Sequence, residues 1–456
     1  MTTNLNVGVS EMALANFAAN LSWSDIPASI QHEAKRSILN IIGTAFSGCS
    51  ELAVDKALGV MKPYSGPATC SLIGRKELCD PSLAAFINAM AANIFDYDDN
   101  HPTTIIHPAA PLVPALLAHA EANSISGQDL IRAFIIGGEV ECRIGNALSP
   151  YHYARGWHIT STCGVFGAAF GVGALLGLNS DQFVFAAGNA AVQSAGLVEG
   201  LGTMAKSVSV GNAARLGMLS ALLASADFDG PLAPLTGQRG FLRVYCDKPK
   251  LEALSKNLGD VWEIGKNTYK PYPAGVVLNP VIDASLEIAV TANVDPKTVK
   301  SVTLKGHSLL RQRTDRPDVT TGREAQVSAQ HAVAIAFKRQ QAGLDEFSDA
   351  AVAETLVAGR PQITFVDDDS YDIESVDMTV NFEDQSPIHV RIDAARGGAS
   401  NPLTDKDIEN KVKELSVRAK FTGDVDSLID AVWMLDRLEN AGIIARLAAV
   451  GGSSVG

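Results

Sequence analysis

The feature that most constrains the fold is a change of hydrophobic periodicity near residue 269, which reverses near residue 400. Before residue 269, apolar side chains recur every three or four positions, as in the stretch 26–46. This spacing is typical of helices that bury one apolar stripe. Strand patterns of comparable quality are absent from this part of the sequence. Further helical stretches are predicted at 112–121, 127–147, 160–176, 180–197 and 211–226.

The middle of the chain has a different character. Asn279-Pro280 predicts a helix start, because Asn caps helices well and Pro suits the first helical position. A strand is predicted at 299–304 and a helix at 324–338. In 376–382, apolar and polar residues alternate, which is the period of a strand with one solvent-facing side. Residues 388–392 follow a short polar turn and complete a hairpin, so this region is predicted to be α+β.

Helical signals return after residue 400. Residues 404–407 can cap a helix that runs through Glu414, and amphipathic stretches follow. The sequence therefore predicts a mainly α protein. A large all-helical domain, residues 1–268 plus 400–456, carries an inserted smaller α+β domain, residues 269–399. The last residues, 451–456, are expected to be disordered.

Composition excludes several function classes. A net charge of −13 argues against nucleic acid as a partner, although a local basic cluster could still bind a small anion. The six cysteines are widely spaced without a Cys-x-x-Cys pair, as in a reducing cytoplasmic compartment, and give no zinc signature. No secretory signal is evident, and the longest apolar stretch, 164–178, is shorter than the roughly 20 residues of a membrane span. We expect a soluble cytoplasmic protein without a membrane partner.

An acidic segment, Phe-Asp-Tyr-Asp-Asp-Asn-His-Pro at 95–102, is followed by a second His-Pro at 107–108. Proline ends helices and pushes the preceding residue into extended geometry. Asp96, His101 and His107 could therefore converge at the mouth of a helix. An acidic interhelical turn explains the segment equally well. A metal site is a further alternative on ligand type, with Asp96, Asp98, His101 and His107 as ligands.

Two more segments combine polar groups with apolar helices. At 151–160, Tyr153, Arg155 and His158 offer a proton donor, an anion clamp and a general base beside a helix start, which itself attracts anions. Alternatively, Tyr153 only seals the helical bundle and His158 caps locally. At 202–215, Lys206 stands alone among small and apolar residues. It is either a surface charge or a partly desolvated amine that takes part in chemistry.

A fourth segment, Lys-Pro-Tyr-Pro at 270–273, contains Tyr272 and precedes Asn279. It lies at the predicted domain junction, where substrate clefts tend to form. A stiff proline-rich linker is at least as good an interpretation. The glycine-rich stretches follow no predicted strand, so neither a phosphate-binding loop nor a dinucleotide fingerprint is predicted.

As a set and in this order, the four segments resemble the MmgE/PrpD family. The similarity rests on the aspartate-rich turn with His-Pro, on Gly-Trp-His-Ile-Thr at 156–160 and on Gly-Thr-Met-Ala-Lys at 202–206. Gly-Asn-Ala-Ala-Arg at 211–215 and Lys-Pro-Tyr-Pro complete it. The segments 343–349 and 401–405 are also similar, so the resemblance covers nearly the whole chain.

The resemblance implies a helical large domain, an α+β small domain, a cleft between them and a homodimer. It also implies no organic cofactor and no catalytic metal. Members of the family include 2-methylcitrate dehydratases, cis-aconitate decarboxylases and an iminodisuccinate epimerase, which act on small polycarboxylates next to a carboxylate. Matching the motifs assigns family site positions to Asp96, His107, His158 and Lys206, with His101 alongside.

Combining the resemblance with the residue types predicts one cleft. Its catalytic residues are predicted to be Lys206, His158, Tyr153, Asp96 and His107. Its substrate-binding residues are predicted to be His101, Asn100, Arg155, Tyr272 and Asn279.

Two departures from the family pattern bear on the reaction. Asn100 stands where the decarboxylases carry Thr, and Asn279 stands where dehydratases and decarboxylases carry His. Asn cannot act as a general acid or base near neutral pH. The preferred interpretation is a lyase, either a dehydratase or a decarboxylase, that abstracts a proton next to a carboxylate. An epimerase with Tyr153 and Lys206 as a proton-transfer pair, and a non-catalytic homologue that binds a small molecule, are the alternatives.

Overall fold

The structure, a computed structural model, describes residues 8–292, 294–383 and 385–451. The chain divides into two units. Unit 1 comprises the chain up to Ile94, Asp98–Asn267 and the chain from Asp405 on, and unit 2 comprises Phe95–Tyr97 and Thr268–Thr404. The predicted mainly α fold with a smaller sheet-containing part is confirmed. The expectation of a disordered tail at 452–456 lies outside the described residues.

Unit 1 is built from helices, with two-residue strands β1 (Cys70–Ser71), β2 (Leu78–Cys79) and β3 (Asp99–Asn100). Strands β1 and β2 pair in antiparallel fashion. The helices before residue 268 are α1 (Val9–Asn20), α2 (Ala28–Gly48), α3 (Leu52–Met61), α4 (Pro81–Asn93), α5 (Ala109–Ala122), α6 (Gly127–Leu148), α7 (Tyr151–Ala154), α8 (Ile159–Leu175), α9 (Ser180–Ala191), α10 (Ala205–Ser225) and α11 (Phe241–Tyr245).

Helix α8 lies at the centre of unit 1 and packs against α6 and α10. It is apolar on all sides, and almost every one of its residues is buried. Small residues allow the close approach: a Cβ added to Gly217 of α10 would lie 2.5 Å from the Cβ of Ala168 on α8. The crossing of α8 and α10 therefore depends on the absence of a side chain at position 217.

Within the described residues, no single helix has both the length and the apolar composition to cross a membrane. One pair of helices, Ala28–Gly48 and Leu52–Tyr64, passes on length and composition only when taken together, and the two are bent by 88° at their junction.

Unit 2 contains α12 (Asn279–Thr291), α13 (Ser308–Thr314), α14 (Gly322–Ala325), α15 (Ala329–Arg339) and α16 (Asp349–Ala358). Its strands are β4 (Thr268–Tyr269), β5 (Val299–Gly306), β6 (Gln362–Asp367), β7 (Val376–Phe382) and β8 (Ile388–Ile392). The four longer strands form a sheet in the order β6-β5-β7-β8. Strands β5 and β6 run parallel, and the other neighbours are antiparallel.

The alternation predicted for 376–382 is present, because β7 buries every second side chain and packs one face against α12. Two details differ from the sequence analysis. Strand β6 was not predicted, because its alternation is limited to two partly buried residues, Ile363 and Phe365. The single helix expected at 324–338 is divided into α14 and α15, because Ser328 caps a new helix by accepting a hydrogen bond from the backbone N–H of His331 at 3.2 Å.

Residues 95–97 pack within unit 2, whereas the sequence analysis placed them in the helical domain. The hydroxyl of Tyr97 donates to the carbonyl of Pro271 at 2.9 Å, and the side-chain amide of Gln326 donates to the carbonyl of Phe95 at 2.9 Å. These contacts join residues far apart in sequence, so local periodicity contains no signal for them.

The chain returns to unit 1 with α17 (Asp405–Arg418), α18 (Val425–Trp433) and α19 (Ile443–Leu447). Helix α17 packs against α2. It ends at Arg418, so the helix predicted after residue 404 extends beyond Glu414. The ammonium of Lys411 donates to the side-chain oxygen of Asn40 at 3.0 Å, which gives the buried ammonium and the buried amide oxygen a partner.

Candidate active site

Lys206 lies in the first turn of α10 and is only 8% exposed. Its ammonium donates a hydrogen bond to the carbonyl of Asn93, the last residue of α4, at 3.3 Å. Carbonyls at a helix C-terminus carry partial negative charge, so this is a favourable place for a cation. Of the two interpretations of Lys206, the structure favours the desolvated amine over the surface charge.

Asn93 connects this lysine to a histidine of the acidic segment. The side-chain amide of Asn93 donates to Oδ2 of Asp98 at 2.6 Å, and both residues are fully buried. Oδ1 of Asp98 lies 3.1 Å from Nδ1 of His107. A continuous chain of polar contacts therefore runs from Lys206 through Asn93 and Asp98 to His107.

His107 is held in one orientation. Its Nδ1 also contacts the backbone carbonyl of Asp99 at 2.6 Å, and a carbonyl only accepts hydrogen bonds. Nδ1 therefore carries a hydrogen, and the lone pair of the neutral ring is on Nε2. The backbone N–H of His107 donates to Oγ1 of Thr160 at 3.2 Å, which connects the acidic segment to the first turn of α8.

His158 occupies the N-cap position of α8 and is buried. Its backbone N–H donates to the carbonyl of Gly196 at 3.1 Å. Its ring Nδ1 lies 2.7 Å from Oγ of Ser161, which lies 2.7 Å from Oγ of Ser209, and Ser209 donates to the carbonyl of Lys206 at 2.8 Å. Side chains of α8 therefore reach the turn of α10 that carries Lys206.

Gly196 permits this arrangement. Its φ of +144° is rarely adopted by other residues, and an added Cβ would lie 2.7 Å from the Cβ of Ser161. The close contact between the 196 loop and the start of α8 therefore needs glycine. It holds His158 between a backbone hydrogen bond on one side and Ser161 on the other.

Unit 2 contains a second polar group of residues. The ammonium of Lys270 donates to both the carbonyl and the carboxylate of Asp96, each at 2.7 Å, and is itself buried. The hydroxyl of Tyr272 donates to Oδ1 of Asp283 at 2.6 Å. Burial and then the neighbouring carboxylate raise the pKa of Tyr272 far above its usual value. Asp96 and Tyr272 therefore each have a firm partner within unit 2.

Asn279 begins α12, but it is not the N-cap residue that the sequence suggested. Leu278 occupies that position, and the side chain of Asn279 makes no capping bond. The residue is buried, and its Oδ1 has no hydrogen-bond partner among the described residues. A buried amide oxygen of this kind is available to a ligand donor.

Comparisons with known proteins match the MmgE/PrpD N-terminal domain to residues 12–254 and the MmgE/PrpD C-terminal domain to residues 272–436. The chain belongs to the MmgE/PrpD family. Cis-aconitate decarboxylase of Aspergillus terreus is 27% identical over 470 residues, which cover 96% of this chain and 95% of that protein. The Homo sapiens cis-aconitate decarboxylase is 26% identical over 432 residues, 91% of this chain and 89% of its own length.

A cis-aconitate decarboxylase-like protein of Aspergillus oryzae is 32% identical over 269 residues, 55% of each chain. These similarities support an enzyme family of the lyase type. They leave the substrate and the individual reaction of this MmgE/PrpD chain open.

Two predicted substrate-binding residues have positions that suit other roles. His101 is 0% exposed, with Nδ1 2.8 Å from Oγ1 of Thr104 and Nε2 3.2 Å from Oε2 of Glu263. Burial would raise the pKa of Glu263, but hydrogen bonds from His101 and Lys266 lower it to about 2. Both nitrogens of His101 are thus engaged inside unit 1, which indicates a structural role and leaves neither nitrogen ready to hold a metal.

Arg155 differs from the predicted anion clamp. Its side chain is 52% exposed and forms an ion pair with Asp247 at 2.8 Å. A half-exposed guanidinium that already has a carboxylate partner is a poor buried anion site. Tyr153, in α7, is half-buried, and Asn100 is buried in β3, so both keep their predicted assignments as predictions.

Sequence reasoning missed Asn93, Ser161, Ser209 and Lys270 as parts of these polar groups. Asn93 and the two serines lack a local signal, since they are ordinary small polar residues in helices. Lys270 has a signal, because a lysine before Pro-Tyr-Pro stands in a matched family segment. The prediction that Asp96, Tyr272 and Asn279 join the residues of unit 1 in one cleft stays a prediction.

Asp99, next to this cluster, is fully buried and has an altered pKa. Its Oδ2 accepts from the side-chain amide of Asn267 at 2.7 Å and from the backbone N–H of Ala109 at 3.1 Å. Burial, and then the charge of Asp98, raise the pKa of Asp99 to about 7. Glu141 on α6 is also fully buried, and burial raises its pKa well above the usual value. In the folded chain, unit 1 therefore favours the protonated, neutral form of these two carboxyl groups.

We predict that Asp99→Asn increases stability at pH 8. The folded chain holds a proton on Asp99 between about pH 4 and 7 that the unfolded chain releases, so this residue makes the free energy of unfolding fall as pH rises through that window. The amide removes that loss, on the order of 2–4 kcal/mol at pH 8. Urea titrations at pH 5 and pH 8 measure it. Asp260→Asn, at an exposed position of unit 1, is the control; equal effects of both substitutions would contradict the prediction.

Proposed function

We propose that this chain is a lyase that acts on a small polycarboxylate and transfers a proton at a carbon next to a carboxylate. The observation that carries this proposal is the buried cluster of unit 1. Polar contacts link the side chain of Lys206 to His107, and a second set links its backbone to His158. One ammonium and two imidazoles in a water-poor environment are suited to binding carboxylates and moving protons.

Negative charge that develops next to a carboxylate needs a nearby cation. The ammonium of Lys206 is already desolvated and held in place, so it can neutralise this charge without reorganising. His158 and His107 can supply or accept the proton, because each is anchored through Nδ1 and has Nε2 as its basic nitrogen or acidic N–H. We assign electrostatic stabilisation to Lys206 and proton transfer to a histidine.

Among lyase reactions we propose decarboxylation of a triacid such as cis-aconitate. In this step the C–C bond to one carboxylate breaks and CO2 leaves. The released electron pair shifts through the double bond, and the carbon next to another carboxylate takes a proton. The product is a dicarboxylic acid with a terminal methylene group. The similarity to cis-aconitate decarboxylases supports this choice over other lyase reactions.

Asn279 supports decarboxylation over dehydration. Departing hydroxide must be protonated by an acid, whereas CO2 leaves without one. Asn cannot supply that proton. Dehydratases and decarboxylases of the family both carry His at this position, so the preference rests on the chemistry of the leaving group and not on the family pattern. Epimerisation also needs no leaving-group acid, so the same residue keeps the epimerase as the second candidate.

Incubation of the purified protein with a panel of polycarboxylates tests the proposal. The panel contains cis-aconitate, citrate, 2-methylcitrate, a malate-like acid and iminodisuccinate, and proton NMR follows each reaction. New terminal methylene signals with loss of one carboxylate are expected for the triacid. An unsaturated acid formed from a hydroxy acid, or inversion of iminodisuccinate without bond cleavage, would contradict it. Loss of activity after exhaustive chelation would favour the metal alternative instead.

We also propose a homodimer that forms through the outer face of α10. Val208, Leu219 and Leu222 lie at helical spacing on this face and are exposed. Exposed apolar side chains grouped on one helix face are typical of a subunit interface.

The homodimer should have a mass of about 96 kDa, twice the 48.0 kDa of one chain, in sedimentation at micromolar concentration. Replacing Leu219 and Leu222 together with Lys should shift the mass to that of the monomer, because two charges would be buried. Val60→Lys, on an exposed part of α3, should leave the dimer intact. A monomeric wild-type protein under these conditions would contradict the proposal.

A further inference from the structure

We infer that Ser209 and Ser161 are positioning residues that fix the neutral ring of His158 in one tautomer, with the hydrogen on Nδ1 and the lone pair on Nε2. The tautomer follows from hydrogen bonds within unit 1. Only its consequence for proton transfer rests on the proposed function.

Ser209 can only accept a hydrogen bond from Ser161. Its hydroxyl lies 2.8 Å from the carbonyl oxygen of Lys206, one turn earlier in α10. A carbonyl accepts but cannot donate, and a serine hydroxyl has a single hydrogen. The hydrogen of Ser209 is therefore used in this bond, and toward Ser161 its oxygen can only accept.

The same count then applies to Ser161. Its Oγ lies 2.7 Å from Oγ of Ser209, so Ser161 must donate its only hydrogen there. Toward His158 it can then only accept. The distance from Nδ1 of His158 to Oγ of Ser161 is 2.7 Å, and this bond requires a hydrogen on Nδ1. Three donors meet three acceptors, and none is left over.

The opposite direction is less favourable. If Ser209 donated to Ser161 and Ser161 donated to His158, the 2.8 Å contact of Ser209 with the carbonyl of Lys206 would have no hydrogen. That arrangement makes two hydrogen bonds instead of three. Ser161 and His158 are buried and Ser209 is half-buried, so the arrangement with three hydrogen bonds is favoured over the one with two.

These three hydrogen bonds form a relay from His158 through Ser161 and Ser209 to the carbonyl of Lys206. The direction of the relay suits His158 as a proton acceptor. The N–H and both O–H groups all point away from the ring, so the negative ends of their dipoles face His158. When Nε2 takes a proton, this alignment stabilises the positive charge that appears on the ring. The relay ends on the backbone of Lys206, so the same helix turn orients both proposed functional residues.

Nitrogen NMR of the ring tests the inference directly. The protein is labelled with 15N-histidine, and the signals of His158 are those missing from the spectrum of His158→Gln. In the wild type at a pH where the ring is neutral, we expect a protonated Nδ1 and an unprotonated Nε2. In Ser209→Ala the hydroxyl of Ser161 is released and can turn to donate to Nδ1, so a mixture of tautomers should appear.

The turnover number should fall when the tautomer of His158 is no longer fixed. We expect kcat of Ser209→Ala to fall roughly tenfold or more with a much smaller change in KM, because a base in the wrong tautomer is idle while binding is preserved. Ser209→Thr keeps the hydroxyl and should restore both the spectrum and kcat. Ser207→Ala is the matched control, since Ser207 makes the same kind of bond, to the carbonyl of Met204 at 2.9 Å, without contact to Ser161.

A wild-type ring with its hydrogen on Nε2 would overturn the inference, as would an unchanged His158 spectrum in Ser209→Ala. The spectrum does not depend on any substrate. If no polycarboxylate is turned over, the proposed function fails, while the NMR result still decides the tautomer.

Discussion

Lys206→Ala should lower the turnover number roughly 10²-fold or more, the scale of a lost oxyanion donor or general base. The lysine ammonium lies at the C-terminal end of α4, in contact with the carbonyl of Asn93, and its 8% exposure leaves little room for a replacement cation from solvent. Alanine is a strong helix former, so α10 should remain intact. Steady-state kinetics with the identified substrate, alongside circular dichroism, measure the effect.

Lys56→Ala is the matched control for this substitution. Lys56 lies on the exposed side of α3 in the same unit. Its substitution also exchanges a helical lysine for alanine. It should retain wild-type kinetics. Full activity in a correctly folded Lys206→Ala protein would contradict the mechanism, since no other residue is assigned its charge-neutralising role.

His158→Ala should be comparably damaging. The substitution removes the ring whose Nδ1 contacts Ser161 and leaves the start of α8 beside Gly196 without a proton-transfer group. A general acid or base typically contributes 10²- to 10⁴-fold, so a loss of roughly 10²-fold in kcat is expected. The measurement is kcat at saturating substrate, because a loss confined to KM would indicate a binding role.

His389→Ala is the control for His158. His389 lies on β8, its side chain is 59% exposed, and its nearest acidic group is Asp377 at 3.4 Å. Exposed ion pairs of this kind contribute little, so activity and stability should both be nearly unchanged. Equal losses in the two histidine variants would argue against a specific role for His158.

The sequence predicted the elements better than the contacts between them. Periodicity is local, so it identified several helices of unit 1, among them α2, α6, α8 and α10, and the alternation in β7. It could not identify Asn93 as the partner of Lys206, because 113 residues separate them. It also placed Phe95–Tyr97 in the helical domain, although Tyr97 is bonded to Pro271.

Residue type alone also suggested two site candidates whose positions in the structure suit other roles. A histidine in an acidic segment suggests chemistry, yet His101 has both ring nitrogens engaged and is completely buried. An arginine beside a Gly-Trp-His motif suggests an anion clamp, yet Arg155 lies at the surface with Asp247. Both differences arise because burial and partners are set by tertiary packing, which composition does not report. For Lys206 the sequence left a surface charge and a desolvated amine equally open, and the structure shows that the residue is buried.

Reaction in heavy water tests the central claim, that the chain transfers a proton at a carbon next to a carboxylate in a lyase reaction. With cis-aconitate as substrate, proton and carbon NMR should show one deuterium per product molecule, on the saturated carbon beside a carboxylate, together with release of CO2. The same sample with Lys206→Ala should show neither product nor CO2 on the same timescale. Deuterium that enters unchanged substrate without bond cleavage, or a product that carries no solvent deuterium, would contradict the account.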